Sequence, residues 1–191
     1  MTGQLVTLID PVREKYVQAY GKWIEEMKRH FPEGMPEHVF QIQSTTNLAR
    51  KLYRVDYAVT LGDAPEFREF KLDTMLGFTP TQGLVDGILV QLNPFRWDGA
   101  VIELEGAVWD VDTVMHWFNH WFGFADGLPV ASRGDRPGGW IHACAKVEEA
   151  LHVDFGSAPG TALGELVALA GRTGASRVII RDTNYRPASA A

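Results

Sequence analysis

The chain has 191 residues, a formal net charge of −6, 46% apolar and 22% charged residues. That suits one folded domain, or one with a small subdomain, and gives no general pull toward phosphate backbones or anionic lipid. One cysteine, Cys144, excludes an internal disulfide scaffold, and the start of the chain lacks the pattern of a signal peptide.

Asp10-Pro11 predicts a helix start, an N-cap followed by proline at the first helical position. Val12, Tyr16, Tyr20, Trp23, Met27 and Phe31 then recur at steps of four and three, an apolar stripe ended by Pro32, Gly34 and Pro36. Tyr53, Val55, Tyr57, Val59 and Leu61 alternate with Arg54, Asp56 and Thr60, the period of a half-buried strand. Gly62-Asp63-Ala64-Pro65 is a turn signal, with residues 67–72 as the returning strand. Residues 88–97 and 100–105 are predicted to form a second hairpin around Asp98-Gly99, a type I′ turn signal. Pro94 marks an edge or a bulge in it. Both hairpins are expected in one antiparallel sheet.

Residues 109–122 are predicted as a helix, followed by a Gly-, Pro-, Asp- and Ser-rich connection over 123–139. Connections of that length are usually functional or mobile. Residues 140–147 and 151–155 read as short strands. Residues 161–172 read as a helix closed by Gly174 as a C′ glycine, and 176–182 as a last strand. The hairpins argue against a doubly wound parallel sheet. They predict an α+β fold, an antiparallel or mixed sheet built from hairpins with about three helices packed on one face. Residues 1–185 are expected to form a single domain and 186–191 a flexible tail. No apolar run approaches the ~18 residues of a membrane-spanning helix. The expectation is a cytoplasmic protein without nucleic-acid or membrane partners.

The segment 109–122 is the densest in potential chemistry. Asp112, His116 and His120 are spaced four apart and share one helical stripe. Two imidazoles and a carboxylate are a recurrent ligand set for Zn²⁺, Mn²⁺ or Fe²⁺, and such an ion generates hydroxide at neutral pH. No other cofactor is expected. The site requires the 123–139 connection, or another element, to cover the stripe; uncovered, it is the wet face of an amphipathic helix. Trp117 follows His116 where a zincin helix has its glutamate base, so that mechanism is discounted. Glu103, Glu105 and Asp110 are the remaining candidates for a base.

His142 and Cys144 share a strand face, and a hairpin centred near Val147 would bring His152 opposite His142. That would gather a thiol–imidazole nucleophile, against the competing reading of Cys144 as a small buried hydrophobe. Arg177 and Arg181 share a strand face, with Arg172 and Arg186 nearby, and could hold a small anion or form a solvated face. Arg133-Gly134-Asp135 is a tripeptide that chance supplies often. Asp154-Phe155-Gly156 lacks every companion motif of a kinase. No P-loop or dinucleotide fingerprint occurs.

Six tryptophans remain. Trp23 belongs to the first helix stripe. Trp97, Trp117, Trp121 and Trp140 lie at a hairpin tip, the helix flanks and the end of the long connection, a candidate recognition surface. The leading reading is a non-catalytic binding or regulatory module that recognises a protein partner or small ligand through that surface. An immunity-type or other inhibitor protein fits this class, although no residue selects it. The alternatives are a metal-dependent hydrolase using Asp112, His116 and His120, and carbohydrate binding through the tryptophans.

Overall fold

The computed structural model describes residues 3–41, 52–61, 64–125, 128–130 and 137–185. The expected tail 186–191, Gly62 and Asp63 of the first turn, and Arg133-Gly134-Asp135 lie outside the described residues.

The fold is α+β, with three helices and antiparallel and mixed sheets. Helix α1 (Gly3–His30) begins ahead of Asp10, so Asp10 is not its cap and Pro11 lies inside it. A proline there costs a backbone bond, offset by burial of Ile9, Val12 and Tyr16 on either side. The predicted apolar stripe is the packed face: Val12, Tyr16 and Tyr20 are buried, with Trp23, Met27 and Phe31 packed against the core.

Strands β1 (Met35–Gln41), β2 (Leu52–Leu61) and β3 (Ala64–Arg68) form an antiparallel meander. Sequence reading missed β1, because Gly34 and Pro36 look like helix punctuation. β3 ends before the predicted 67–72 strand does. Phe70 leaves the ladder, donates its amide to Asp56 Oδ2 at 2.7 Å and sets its ring edge-on to Tyr16. The half-buried reading of β2 is also corrected. Val55, Tyr57 and Val59 are buried on one face, and Arg54 and Asp56 are buried on the other.

The larger sheet has six strands in the order β4 (Thr81–Val85), β5 (Ile88–Leu92), β11 (Arg177–Asp182), β6 (Ala100–Glu105), β10 (Ala150–Asp154) and β9 (Ala143–Val147). This overturns the predicted 88–97/100–105 hairpin, and the two predicted hairpins do not share a sheet. β11 lies between the two segments, parallel to β5 and antiparallel to β6. Asn93 diverts the chain: its backbone N–H and its Nδ2 donate to the Ile180 carbonyl at 2.9 and 3.2 Å. The Pro94 carbonyl then accepts the Asp182 N–H. β5 turns back on β4 instead, through Asp86-Gly87 with φ of 50° and 86°, the left-handed pair a tight hairpin needs.

One face of this sheet carries Val90, Leu92, Ile102, Leu151, Val178 and Ile180. It forms one hydrophobic cluster with buried residues of α2 (Val111–Phe122) and α3 (Gly160–Arg172). The meander joins the β9 edge, where the Arg54 N–H donates to the His142 carbonyl at 3.0 Å. α1 is tied to the meander by the Tyr20 hydroxyl on the Asp56 carbonyl and the Tyr57 hydroxyl on the Phe31 carbonyl. The 123–139 connection contains a two-stranded ribbon, β7 (Phe124–Ala125) and β8 (Leu128–Pro129). Among the described residues, no helix is long and apolar enough to cross a membrane.

Candidate functional site

The four tryptophans expected at one surface separate into two pairs. Trp97 is fully buried and stacked on Phe155 at 4.5 Å. It was placed at a hairpin tip, and that hairpin does not exist. Trp117 is 6% exposed. Its Nε1 donates to the Ala162 carbonyl at 2.9 Å, so the flank it occupies faces α3 rather than solvent. Trp121 and Trp140 are half-buried and adjoin: the Ile141 N–H, next to Trp140, donates to the Trp121 carbonyl. Trp121 Nε1 donates to Glu165 Oε2 on α3 at 2.8 Å.

The polar stripe of α2 is exposed at Asp112, His116 and His120. His116 Nδ1 is engaged with the Asp112 carbonyl at 2.8 Å, and His120 stands edge-on to Trp121. His116 borders a shallow groove of about 360 Å³ between α2 and α3, with Thr113, Glu165 and Arg172. The 123–139 connection meets the C-terminal end of α2, at Gly123, where the Val130 N–H donates to the Gly123 carbonyl. Among the described residues, no three His, Cys, Asp or Glu side chains converge as a cation site.

The His142–Cys144–His152 patch does not assemble. β9 and β10 pair with His152 opposite Ala145 and Cys144 opposite Val153. Cys144 therefore faces the buried core, and burial pushes its thiol pKa far up. His152 lies on the other face of the sheet. The strand-face arginines are paired with carboxylates of β6. Arg177 meets Glu105 at 3.2 Å and Arg181 Nε meets Glu103 at 3.0 Å. They form a solvated ion-pair ladder rather than an anion site.

A different constellation lies deeper, and sequence reading missed it. Register places Glu37 of β1 opposite Asp56 of β2, since Pro36 faces Tyr57 and His38 faces Val55. Like charges directly opposite repel, and His142 resolves the conflict. Its Nε2 lies 3.0 Å from Glu37 Oε1 and its Nδ1 lies 3.0 Å from Asp56 Oδ1. The second contact lacks hydrogen-bond alignment and acts as a charge contact. Glu37, Asp56 and His142 are at most 3% exposed. The imidazole is wedged against Gly156, where a Cβ would stand 2.2 Å from His142 Cδ2, so only glycine fits.

Burial opposes charge on His142, but its contacts with Asp56 and Glu37, and the nearby Asp154, raise its pKa well above the ordinary value. Burial likewise opposes ionisation of Glu37. Hydrogen bonding and charge from His142, then Ser157 and the Gly138 amide, reverse that and lower its pKa. Both shifts favour a protonated His142 beside an ionised Glu37. In its protonated form the His142 ring has no lone pair to act as a base. The Ser157 hydroxyl donates to Glu37 Oε1, not to His142. The set resembles a serine triad in composition alone.

Asp154 is pushed up to about 7, by burial first, with His142 opposing and Asp56 and Asp98 reinforcing the rise. A carboxylate raised in the folded state favours folding in its protonated form, so its contribution is lost as pH rises through about 7. Wild type is therefore expected to lose stability between pH 5 and 7.5 in urea titrations. Asp154→Asn, which keeps an acceptor for the Gly156 N–H, is expected to flatten that loss. An equal slope in both proteins would show that Asp154 titrates normally.

Around the cluster, backbone groups from three segments end on buried side chains. Arg54 Nε and Nη2 donate to the Phe122 carbonyl at 3.0 and 2.7 Å, closing the end of α2. Arg54 Nη2 also reaches the Val130 carbonyl at 2.9 Å, and Nη1 the Glu37 carbonyl at 2.9 Å. Its guanidinium lies between the Phe122 and Trp140 rings, 4.8 and 5.3 Å from their centroids. Glu37 Oε2 accepts the Gly138 N–H. Ser157 Oγ accepts the Gly139 and Trp140 N–H groups at 2.9 and 3.1 Å. Gly123, at φ 79°, lets the Trp140 ring approach, because a Cβ there would sit 2.6 Å from it. The Trp140 indole N–H has no partner among the described residues.

Compared with known proteins, the chain matches no family model, no curated protein and no solved structure.

Proposed function

We propose that this chain is a non-catalytic binding or regulatory module that recognises a protein partner or small ligand through the surface where Trp121 and Trp140 meet the β7–β8 ribbon. The reading is carried by one observation. The Phe122 and Val130 carbonyls and the Gly138, Gly139 and Trp140 amides, all bordering this surface, are fixed by buried Arg54, Glu37 and Ser157. Surface loops seldom receive such support from charged groups of the interior, because burying charge is costly. Leu128 on β8 is 72% exposed, Trp121 and Trp140 are half-buried, and aromatic residues of this kind dominate recognition energetics. The chemistry beneath the surface supports a non-catalytic role, since His142 Nε2 and the Ser157 hydroxyl both engage Glu37 Oε1.

Photo-crosslinking tests this. A crosslinker at Leu128 is expected to trap a specific adduct in cells that a crosslinker at Glu14, on exposed α1, does not trap. Trp121→Ala is expected to abolish that adduct. Identical adducts from both positions, or indifference to Trp121→Ala, would remove the surface from consideration.

A further inference from the structure

The buried cluster contacts the Trp140 surface from two sides, and the contacts are not distributed evenly over the fold. Arg54 takes the Val130 carbonyl, and Glu37 takes the Gly138 N–H. Ser157 extends the reach of Glu37 to the next two amides. The two arms are joined, because Arg54 Nη1 holds the carbonyl of Glu37 itself. Glu37 takes part with φ at +49°, a conformation that a residue with a side chain adopts at a cost. No hydrophobic packing demands a carboxylate at this position, and apolar groups of similar volume usually stabilise an interior as well or better.

We propose that Glu37 and Arg54 are positioning residues, a two-armed clamp that holds Val130 and Gly138–Trp140 as one rigid surface element. Arg54 holds Val130, and Glu37, directly and through Ser157, holds Gly138–Trp140. Trp140 is thereby held against Arg54 and Gly123 in a fixed orientation beside Trp121. The clamp rests on the binding reading above for its purpose alone. Its existence is read without a partner, so failure of the clamp and failure of the partner search give different results.

Amide hydrogen exchange on the full chain tests the clamp, comparing wild type with Ser157→Ala. The Val130 amide bonds to the Gly123 carbonyl and the Gly138 amide to Glu37, so neither touches Ser157 directly. A joined clamp predicts that both exchange at least about tenfold faster in the variant, while amides of β5, β6 and β11 keep their wild-type rates. Faster exchange confined to Gly139 and Trp140, which lose their own acceptor, would overturn the proposal. So would a uniform rise through the sheet, which would mark a general loss of stability. If Ser157→Ala does not fold, Glu37→Gln is read in the same way at Val130 and Trp140, whose amides do not bond to the Glu37 carboxylate.

Discussion

Replacing His142 by alanine is expected to lower the unfolding free energy by about 3–5 kcal/mol, the range for stranding a buried charge without its partner. The substitution leaves Glu37 and Asp56 facing each other in the interior with no cation between them. Urea denaturation at pH 7 measures the loss. Removing Glu37 in the same protein is expected to recover part of it, giving a coupling energy that neither single variant shows. A loss below about 1 kcal/mol would mean that the two carboxylates are protonated or hydrated when His142 is absent.

The same cluster sets limits at both ends of the pH scale. His142 has a raised pKa in the folded state. Its contribution is complete below the ordinary histidine value and is lost as pH climbs through the raised one. Glu37 has a lowered pKa. Its contribution is complete above the ordinary glutamate value and is lost as pH falls through the lowered one.

Arg54→Lys is expected to cost about 3 kcal/mol or more, although it preserves the charge. Three carbonyls, the buried ones of Glu37 and Phe122 and the part-buried one of Val130, accept from the guanidinium. Leaving a buried polar group unpaired costs about 1–3 kcal/mol. A lysine ammonium is a point donor and cannot reproduce a planar fork stacked between two rings. Burial lowers the Arg54 pKa to about 10, opposed by Glu37, so the side chain is charged at neutral pH and its loss is not a titration effect. Thermal and urea melts of the variant supply the number. Trp140 fluorescence is expected to shift toward that of a solvated indole, because the ring loses the planar guanidinium that covers it. A lysine variant as stable as wild type would show that the three carbonyls find other donors.

Helix existence was legible in the sequence for simple reasons. Val12, Tyr16 and Tyr20 carry a helical period that packing then uses, and Gly123 and Gly174 adopt the left-handed conformation that ends α2 and α3. Strand Leu52–Leu61 was legible from its period of two, and Arg177–Asp182 from the β-branched run Val178-Ile179-Ile180. Strand order was not. Asp98-Gly99 has the composition of a hairpin turn, and nothing local reports that β11 will insert between β5 and β6. That insertion depends on a pairing across more than eighty residues, with Asn93 accepting a place beside Ile180.

The candidate site was hidden by the pattern that revealed its strand. Arg54 and Asp56 occupy the polar positions of an alternating segment, which ordinarily face water. They are buried because the segment ahead of β9 and the end of α2 cover that face, bringing His142, while Glu37 stands beside them on β1. Glu37 carried no signal at all, since Gly34-Met35-Pro36 obscured β1. The tryptophans misled in the opposite direction. Indole serves core and surface equally, and only the positions of Phe155 and α3 decide that Trp97 and Trp117 are interior while Trp121 and Trp140 reach the surface.

The charge state of His142 is the hinge of the whole arrangement. Nitrogen-15 NMR of the histidine ring at pH 8 reads it directly, because the unperturbed imidazole is neutral there. An ionised cluster predicts that His142 still carries protons on both Nδ1 and Nε2, with imidazolium shifts at both nitrogens. A neutral ring with one bare nitrogen would contradict it, and Glu37 and Asp56 would then have to share protons of their own.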